Sequence, residues 1–476
     1  MVIIANTVLF IALALFIGIH ILEAISGDQR PTLRIPKFLL PALAIAMIVF
    51  SFIPIGLIAE QTAAISSEPF ISVLGSSLFE FAIGQGFVAF VCFLVIVFVG
   101  RFTLKGPGKG RSLLLLPILG MILATSWSSH AASLSDQGYI FDVLHTTSAL
   151  SWTGVLLIAS FFSIGEDHWF RFFQWFTPFA ITMVLLLFVS GIGMLMFITP
   201  EYTNSWLLPY GQWQLLKHLL FIPIVFYGFA HGFIMKKRLT DPMKYGNKRK
   251  PRFSLQMESI VLVIVFVVTA IMTEQEPPHE VAETLEFTEV SGLASQMIAT
   301  DLLSGEMVLW TPNIPAILLA GSAITILLFF IYSIGTSRPF WFAPIYIALF
   351  IMTGYTTLMI GADVETIAED TPEDLSTEPI EVEVLNDSEA TVGDEWTLQV
   401  EVTQEDTPVE DADDVIFEVW HDEDEQSIMI DGEHTGNGIY EAAYQFREAS
   451  TYYVQPHMTA RGMHRMPVHE VDVIDE

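Results

Sequence analysis

The sequence predicts an all-α polytopic membrane helix bundle of about ten transmembrane helices, joined to a small extracytoplasmic all-β sandwich of the immunoglobulin-like type. Three observations support this fold class. Hydrophobic residues make up 52% of the 476 residues, which is more than ordinary soluble proteins carry. Apolar stretches long enough to cross a bilayer recur up to residue 361. The rest of the chain alternates polar and apolar residues and is intensely acidic.

Negative charge is concentrated at the C-terminal end. Residues 362–476 contain 33 acidic and 3 basic side chains, and the formal net charge of the whole chain is −32. The preceding part is therefore nearly neutral, as expected for protein dissolved in lipid, whereas the last part is solvated. Dense surface acid keeps an exposed domain soluble in a saline or alkaline medium; the alternative is a domain that collects cations. No nucleic-acid partner is expected for so acidic a chain.

Ten apolar stretches are predicted to span the membrane. Each is about 19 to 27 residues long, enough to cross a hydrocarbon core about 30 Å thick. Backbone N–H and C=O groups find no water there, so these stretches must be helices rather than open strands. The predicted spans are residues 2–25, 38–59, 78–100, 112–130, 140–164, 172–198, 213–235, 255–273, 314–334 and 340–361.

Lysine and arginine in the loops predict the orientation. Basic residues concentrate in the first, third, seventh and ninth loops, and loops rich in Lys and Arg remain in the cytoplasm. Both termini and the acidic domain are therefore expected outside, in a multi-pass protein of the cell (cytoplasmic) membrane. The basic residues of these loops are Arg30, Arg34, Lys37, Arg101, Lys105, Lys109, Arg111, Lys236, Lys237, Arg238, Lys244, Lys248, Arg249, Lys250, Arg252 and Arg338.

The composition divides the chain into three predicted parts. Residues 1–361 form the membrane domain, residues 362–379 an acidic linker, and residues 380–476 the sandwich. Period-two runs separated by Gly, Asn and Asp predict six or seven strands in the last part. The runs cover residues 380–384, 396–402, 415–420, 439–446, 452–460 and 468–473.

Histidine and methionine residues recur near the outer ends of the central spans. Ionisable residues within spanning helices are costly and indicate a functional site. The single cysteine, Cys92, lies in an apolar run, so imidazole and thioether are the soft donors available, and together they suit Cu(I). The alternative is that each histidine is interfacial or hydrogen-bonded within the bundle and each methionine is packing. The candidate ligands are His130, Asp142, His145, Met194 and His218, with Met196 beside them.

A second group of soft ligands lies in the C-terminal domain. If the turn is centred near Met463, antiparallel pairing places His457 opposite His469, with Cβ atoms about 4.5–5.5 Å apart. The remaining imidazole and thioether groups then cluster at the hairpin tip and suit Cu(I). The alternative is an edge hairpin with Met458 or Met466 in the core and solvated histidines. The candidate ligands are His457, Met463, His464, Met466 and His469.

Three segments resemble the copper resistance D (CopD) family. Residues 141–154 contain Asp-x-x-His followed by Trp-x-Gly, on Asp142, His145, Trp152 and Gly154. Residues 211–218 resemble the family's outer loop leading into a helix that bears Leu-x-Lys, and residues 269–278 are similar to its helix that ends in a double proline. In order and spacing together, these motifs indicate a CopD-like core of about residues 120–279.

The C-terminal domain resembles the YtkA-like family. The resemblance is carried by Gly438-Ile439-Tyr440 and by residues 451–467, which read TYYVQPHMTARGMHRMP. A CopD-like membrane unit joined to a YtkA-like domain is an arrangement found among copper-uptake proteins of Gram-positive bacteria. The resemblance implies a copper-handling protein that binds Cu(I) or Cu(II), with an extracytoplasmic copper chaperone as a candidate partner.

Copper import across the cytoplasmic membrane is therefore the expected function, with an outer entry site and an acidic metal-binding domain. The sequence contains no nucleotide-hydrolysis motif, and no enzyme activity is expected. One alternative is a haem b membrane oxidoreductase, because His218 and His231 lie 13 residues apart on one helix. The other alternative is an assembly factor that delivers copper to a respiratory oxidase. His20 and His231 are candidates for a second station in the inner half of the bundle.

Overall fold

In the computed structural model the chain forms two compact units, residues 1–367 and residues 368–476. The first unit is a bundle of helices, and the second is built of β-strands. The structure describes residues 1–66, 69–104, 109–165, 167–199, 201–240, 251–275, 277, 291, 306–311, 313–335, 342–366, 380–386, 389–393, 395–404, 407–412, 414–421, 428–446, 449–460 and 463–474.

The helical unit is built from long runs of Leu, Ile, Val, Phe and Ala, which satisfy their backbone groups within each helix. Its α-helices are α1 (Val2–Ala24), α2 (Leu39–Ser66), α3 (Phe70–Phe79), α4 (Ala82–Thr103), α5 (Lys109–Ser112), α6 (Leu115–Ser126), α7 (His130–Leu134), α8 (Asp136–Phe162), α9 (Trp169–Ile198), α10 (Pro209–Phe229), α11 (Lys236–Thr240), α12 (Pro251–Met272), α13 (Ile314–Gly335) and α14 (Phe342–Ile360). Short 3₁₀ turns cover Gly27–Gln29 and Asn204–Leu207, and α10 continues into a π-helical turn at Ala230–Met235.

Nine helices among the described residues are long and apolar enough to cross a membrane. They correspond to nine of the ten predicted spans, so the fold class predicted from the sequence is confirmed. The tenth prediction, residues 112–130, falls on a shorter apolar segment, Gly110–Ser126. It ends early because polar residues follow it: the Ser129 side chain caps α7 by accepting from the Ala132 backbone N–H at 3.3 Å.

The contact between α1 and α8 is a close backbone approach between two long helices of the bundle. A Cβ atom at Gly18 would clash with the backbone carbonyl of Gly154, and one at Gly154 would clash with that of Ala14. Small residues at such a crossing allow two helix backbones to touch, which is the usual basis of helix association in lipid. The sequence of α1 therefore fixes how deeply α8 sits in the bundle.

Helix α8 is enclosed by its neighbours. It packs against α1, α6, α9 and α12, and its inner half is buried almost without interruption from Leu150 to Ser160. The Ser160 hydroxyl contacts that of Ser259 on α12 at 3.1 Å, and the Ser160 carbonyl accepts from Arg252 at 3.0 Å. The N-terminal half of α8 carries the predicted ligands Asp142 and His145. The helix contacts α9, α6 and α7.

Two short strands outside the helices form an antiparallel pair. Strand β1 (Glu306–Trp310) pairs with β2 (Ala362–Thr366), which directly follows α14. Between β1 and β2 the described part of the chain forms α13 and α14. The pairing therefore requires the start of α13 and the end of α14 to lie on the same side of the membrane. Residues 362–366, predicted as the start of the linker, thus form a strand.

The second unit is a sandwich of two sheets. One sheet has the strand order β3-β5-β10-β9 with β6 on β5, and the other has β4-β13-β11-β7-β8 with β12 on β11. All pairs are antiparallel except β13 with β4. The strands are β3 (Glu381–Val384), β4 (Glu389–Thr391), β5 (Glu395–Gln404), β6 (Thr407–Pro408), β7 (Asp414–His421), β8 (Ile428–Asp431), β9 (Glu433–Gly436), β10 (Ile439–Gln445), β11 (Thr451–Ala460), β12 (Met463–Arg465) and β13 (His469–Ile474).

The core of the sandwich is formed by the alternating apolar positions of both sheets. Leu398 and Val400 of β5 face Phe417 of β7 and Met458 of β11 in one buried cluster. Every second residue of β11, from Tyr452 to Ala460, is buried, as the period of a strand with one face on the core requires. All six predicted strands are present. The domain has five further strands of two to four residues each, and strands this short give little alternation in the sequence.

Replacing Gly18 with Val should destabilise the bundle by about 1–3 kcal/mol, because the added side chain separates α1 from α8. Gly321→Val in α13 is the matched control, since nothing lies within 4 Å of a Cβ at that position. The measurement is the temperature at which half of the detergent-solubilised protein stays monodisperse. Equal midpoints for the two variants would contradict a determining role for the α1–α8 contact.

Candidate functional site

The outer halves of α8 and α10 bring two predicted ligands to similar depth. Trp152 of α8 and Phe221 of α10 contact edge to face, with ring centroids 6.5 Å apart. His145 lies two turns before Trp152, and His218 lies one turn before Phe221. Helices α8 and α10 are the first and third of three consecutive spans and therefore cross the membrane in the same direction. From the positions of the two histidines relative to the Trp152–Phe221 contact, the imidazoles differ in depth by about 6 Å.

His145 is positioned by α9. The Ser190 hydroxyl lies 3.4 Å from Nδ1 of His145 and donates its own proton to the Leu186 carbonyl at 2.6 Å. The ring also bonds to the backbone carbonyl of Leu187, and Gly191 leaves room for it. The Ser190 hydroxyl and the Leu187 carbonyl both act as hydrogen-bond acceptors toward the ring. A neutral imidazole has one N–H to donate, so its second nitrogen keeps a lone pair to which neither partner donates.

His218 is positioned by the segment before α10. The Tyr202 hydroxyl lies 2.7 Å from Nδ1 of His218, and the two rings are 5.6 Å apart. Burial raises the pKa of Tyr202 to about 12, so the hydroxyl remains protonated at neutral pH. In the tautomer that carries its proton on Nδ1, His218 donates to Tyr202 and presents the Nε2 lone pair. A hydrogen bond of this kind fixes the orientation of a metal-binding imidazole.

Charge near the two imidazoles comes from Lys217 and Asp142. Lys217 lies within electrostatic range of both His145 and His218. Asp142, one turn before His145 on α8, lies near the hydroxyls of Ser126, Ser129 and Thr146, close to the α6–α7 turn. A cation between the imidazoles would therefore be held by coordination bonds more than by charge attraction.

The other two predicted outer ligands lie in a neighbouring patch. Met194 packs on the apolar cluster of Ala131, Ile198, Tyr210 and Met272, whereas Met196 is 70% exposed. His130 is exposed at the first residue of α7, next to the buried Ala131. Among the described residues, no group of three or more His, Cys, Asp or Glu side chains is arranged to hold a metal ion.

The inner histidines belong to two separate hydrogen-bond networks. His20 bonds to the Phe16 carbonyl at 2.7 Å and to Arg101 at 3.1 Å, and Arg101 pairs with Glu23 at 2.7 Å. His231 uses both ring nitrogens elsewhere, so the two histidines predicted as a second station do not share a site. The absence of a free nitrogen on His231 also leaves the haem alternative without its inner ligand.

The partner of His231 is Glu258 on α12, which was not predicted as a functional residue. Nδ1 of His231 lies 2.7 Å from the Glu258 carboxylate, and Nε2 lies 2.7 Å from the Ser254 hydroxyl. The available signal was a single carboxylate within the otherwise uncharged span Arg252–Met272, after its first residue.

The predicted register of the last hairpin is wrong. Ala460 pairs with Met463, so the connection consists of two residues, Arg461 and Gly462, which lie outside the described residues. A two-residue turn favours a glycine, and this shifts the pairing away from the turn predicted at Met463. His469 therefore lies opposite Val454 rather than opposite His457.

The change of register separates His469 from His457. His457 lies on the outer face of its sheet and pairs with Glu418 at 2.8 Å. His469 lies on the core face with its Nε2 buried, and Met466 is 47% exposed. The backbone of Met463 and His464 forms β12, but their side chains lie outside the described residues. Met458 is fully buried, as the alternative prediction held.

A bundle of long apolar helices joined to a β-sandwich domain defines a multi-pass membrane protein with a solvated domain. The family described as "Copper resistance protein D" matches residues 170–272, and "Copper resistance protein D-like, N-terminal domain" matches residues 1–140. The "YtkA-like" family matches residues 374–457. These matches confirm the resemblance predicted from the sequence: the membrane unit is similar to the copper resistance D family, and the C-terminal domain is similar to the YtkA-like family.

A curated relative supports the same grouping. The copper transport protein CutJ of Bacillus subtilis (strain 168) is 25% identical over 297 residues, which cover 58% of this chain. The chain spans about half the length of that relative, 53%. Helix α8, with Asp142 and His145, lies largely between the two matched copper resistance D ranges.

Proposed function

We propose that this protein moves copper inward across the cell membrane, without acting as an enzyme. The observation that carries the proposal is the pair of imidazoles, His145 and His218, held at similar depth on neighbouring helices. Each ring is oriented by a hydrogen bond from the surrounding bundle and has a nitrogen left for a ligand. The family matches, and the similarity to a protein named as a copper transport protein, support copper as the cargo.

The chemistry of the donors favours Cu(I) as the transported form. Imidazole and thioether are soft or intermediate ligands, and Cu(I) prefers them to carboxylates. We infer that copper enters past His130 and Met194 and is then held by His145 and His218. Lys217 beside these rings disfavours a divalent ion more than a monovalent one, because charge repulsion scales with charge. Asp142 would hold the turn that frames this entry.

The sandwich domain is proposed to collect copper outside the membrane. His457, Met463, His464 and Met466 lie on β11, on β12 and just after it, and would form its site, with His469 farther along at the sheet's core face. The surrounding acidic surface attracts cations and a basic copper chaperone. This delivery step requires the domain to lie outside the cytoplasm. The N-terminus is proposed to lie on the same side, with the shorter apolar segment Gly110–Ser126 as the tenth crossing.

The orientation can be tested by labelling. In a variant with Cys92→Ser, a single cysteine placed at exposed Glu433 should react in intact cells with a membrane-impermeant maleimide, because the sandwich is proposed to lie outside. A cysteine placed at exposed Lys237, in the basic loop proposed as cytoplasmic, is the control and should react only after lysis. Labelling in the reverse pattern would contradict the proposed orientation.

Copper uptake should depend on the bundle-facing ligands. His145→Ala and His218→Ala should each lower cellular copper accumulation at least about tenfold, because each removes a ligand and leaves the apolar helix intact. Met194→Leu should lower it by a smaller factor. Met196→Leu is the matched control, since that thioether is 70% exposed and leucine conserves its volume.

Copper accumulation is measured by mass spectrometry in cells that produce equal amounts of each variant in the membrane. Unchanged accumulation in both histidine variants would remove the two imidazoles from the path. Equal losses in Met194→Leu and Met196→Leu would show that these changes act through packing and would exclude Met194 as a ligand.

Tyr202→Phe tests the orientation of His218. The phenylalanine keeps the ring contact but removes the oxygen that lies 2.7 Å from Nδ1. Cu(I) affinity of the purified protein, measured by competition with a chelator, should fall about 10–100-fold. Tyr332→Phe, at a half-exposed tyrosine of α13, is the control. An affinity equal to that of the control variant would mean that the hydrogen bond does not orient a metal ligand.

A further inference from the structure

The inner half of the bundle contains a buried pair of ionisable side chains that the proposed entry site does not use. His231 is 3% exposed and Glu258 is 1% exposed, and the two are joined by the 2.7 Å contact between Nδ1 and the carboxylate. Ser254, one turn before Glu258 on α12, contacts Nε2 of the same ring at 2.7 Å. Such groups are rare in spanning helices and mark ion or proton pathways.

The hydrogen bonds of His231 can be satisfied in two protonation states without moving a heavy atom. When the imidazole is protonated, Nδ1–H donates to Glu258 and Nε2–H donates to the Ser254 oxygen. When it is neutral with its proton on Nδ1, Nε2 accepts from the Ser254 hydroxyl, which only rotates. A site in which both ring nitrogens are paired in either state can bind and release a proton at low cost.

The aromatic surroundings hold the ring in place. Phe173 of α9 and Tyr227 of α10 stack on His231 with centroids 6.2 Å and 6.0 Å away and planes within 15° of parallel. Phe330 of α13 closes the far side of Tyr227. The other charged side chains described at this end of the elements packed around the pair take part in separate contacts. They are Glu23 of α1, which pairs with Arg101 and Arg111, Arg171, which pairs with Asp28, Arg252, which donates to the carbonyls of Ser160 and Phe161, and Lys236 and Lys237 of α11.

The backbone at His231 is also unusual. Ala230–Met235 forms a π-helical turn between α10 and α11, and π-helical turns within helices are frequent at functional sites. The turn carries the imidazole on the same continuous helix as His218, 13 residues further along. A change at the outer imidazole can therefore reach His231 through one element.

We propose that His231 and Glu258 form a proton-binding site, and that His231 releases its proton when a copper ion enters the inner half of the bundle. This inference rests on the proposed copper function. With His231 protonated the pair is neutral overall. When one Cu(I) arrives and one proton leaves, the net charge of the bundle interior does not change, which avoids adding an uncompensated charge to a region without water.

The test uses purified full-length protein in liposomes that contain a pH-indicating dye, with Cu(I) supplied as its acetonitrile complex. The wild-type protein should move one proton for each Cu(I) taken up. Glu258→Gln keeps the shape and an acceptor for Nδ1–H but removes the charge that supports an imidazolium, so proton movement per copper should fall at least about tenfold. Cu(I) affinity at the outer site should stay within about twofold of wild type.

Serine variants keep the test independent of folding. Ser254→Ala removes the rotating hydroxyl and should lower proton movement per copper about threefold or more. Ser259→Ala, the control, removes a hydroxyl that contacts Ser160 instead and should leave the ratio unchanged. Copper uptake with no accompanying proton movement, or with equal ratios in all variants, would overturn this inference alone. No copper uptake by the wild-type protein would overturn the proposed function and this inference with it.

Discussion

Because the interior of a bilayer contains no water, every polar group in the bundle must find its partner within the protein. The histidines show what this requirement does. His20 is bound to a backbone carbonyl and to Arg101, His231 to a carboxylate and a hydroxyl, and His218 to Tyr202. His145 contacts the hydroxyl of Ser190 on α9 through Nδ1. Both ring nitrogens of His20 and His231 thus have partners, whereas His145 and His218 are each held by a hydroxyl at Nδ1.

Close packing of backbones creates this environment. The glycines of α1 and α8 let the two helices touch, and α8 is then enclosed on several sides. A ring on the enclosed helix faces protein rather than lipid, which is why His145 meets Ser190 of α9. Met196, two residues from Met194 on the same helix, points instead to the surface and shows how sharply position on a helix face changes the role of a thioether.

The sequence predicts much of the fold because its strongest signals are local. Continuous apolar runs identify nine spans, and alternation identifies β11 as a strand. The span predicted at residues 112–130 extends too far at its C-terminal end. Several serines after Ala124 end the helix there, while small residues keep the mean hydropathy of the stretch high. The hairpin register failed for a different reason: it depends on which two residues form the turn, and Gly462 offered a better turn than Met463.

The site was less predictable, since partners come from distant parts of the chain. His145 and His218 were identifiable as ionisable residues in spans, but Tyr202 and Ser190 gain their roles only from the packing of α8, α9 and α10. Glu258 was missed because one carboxylate in a long apolar helix scarcely alters its hydropathy. Its pairing with His231 shows what the constraint of a dry interior implies: a carboxylate persists there only when another group shares its charge or its proton. A buried pair of this kind is therefore a property of two elements together, here α12 and the π-helical turn that follows α10.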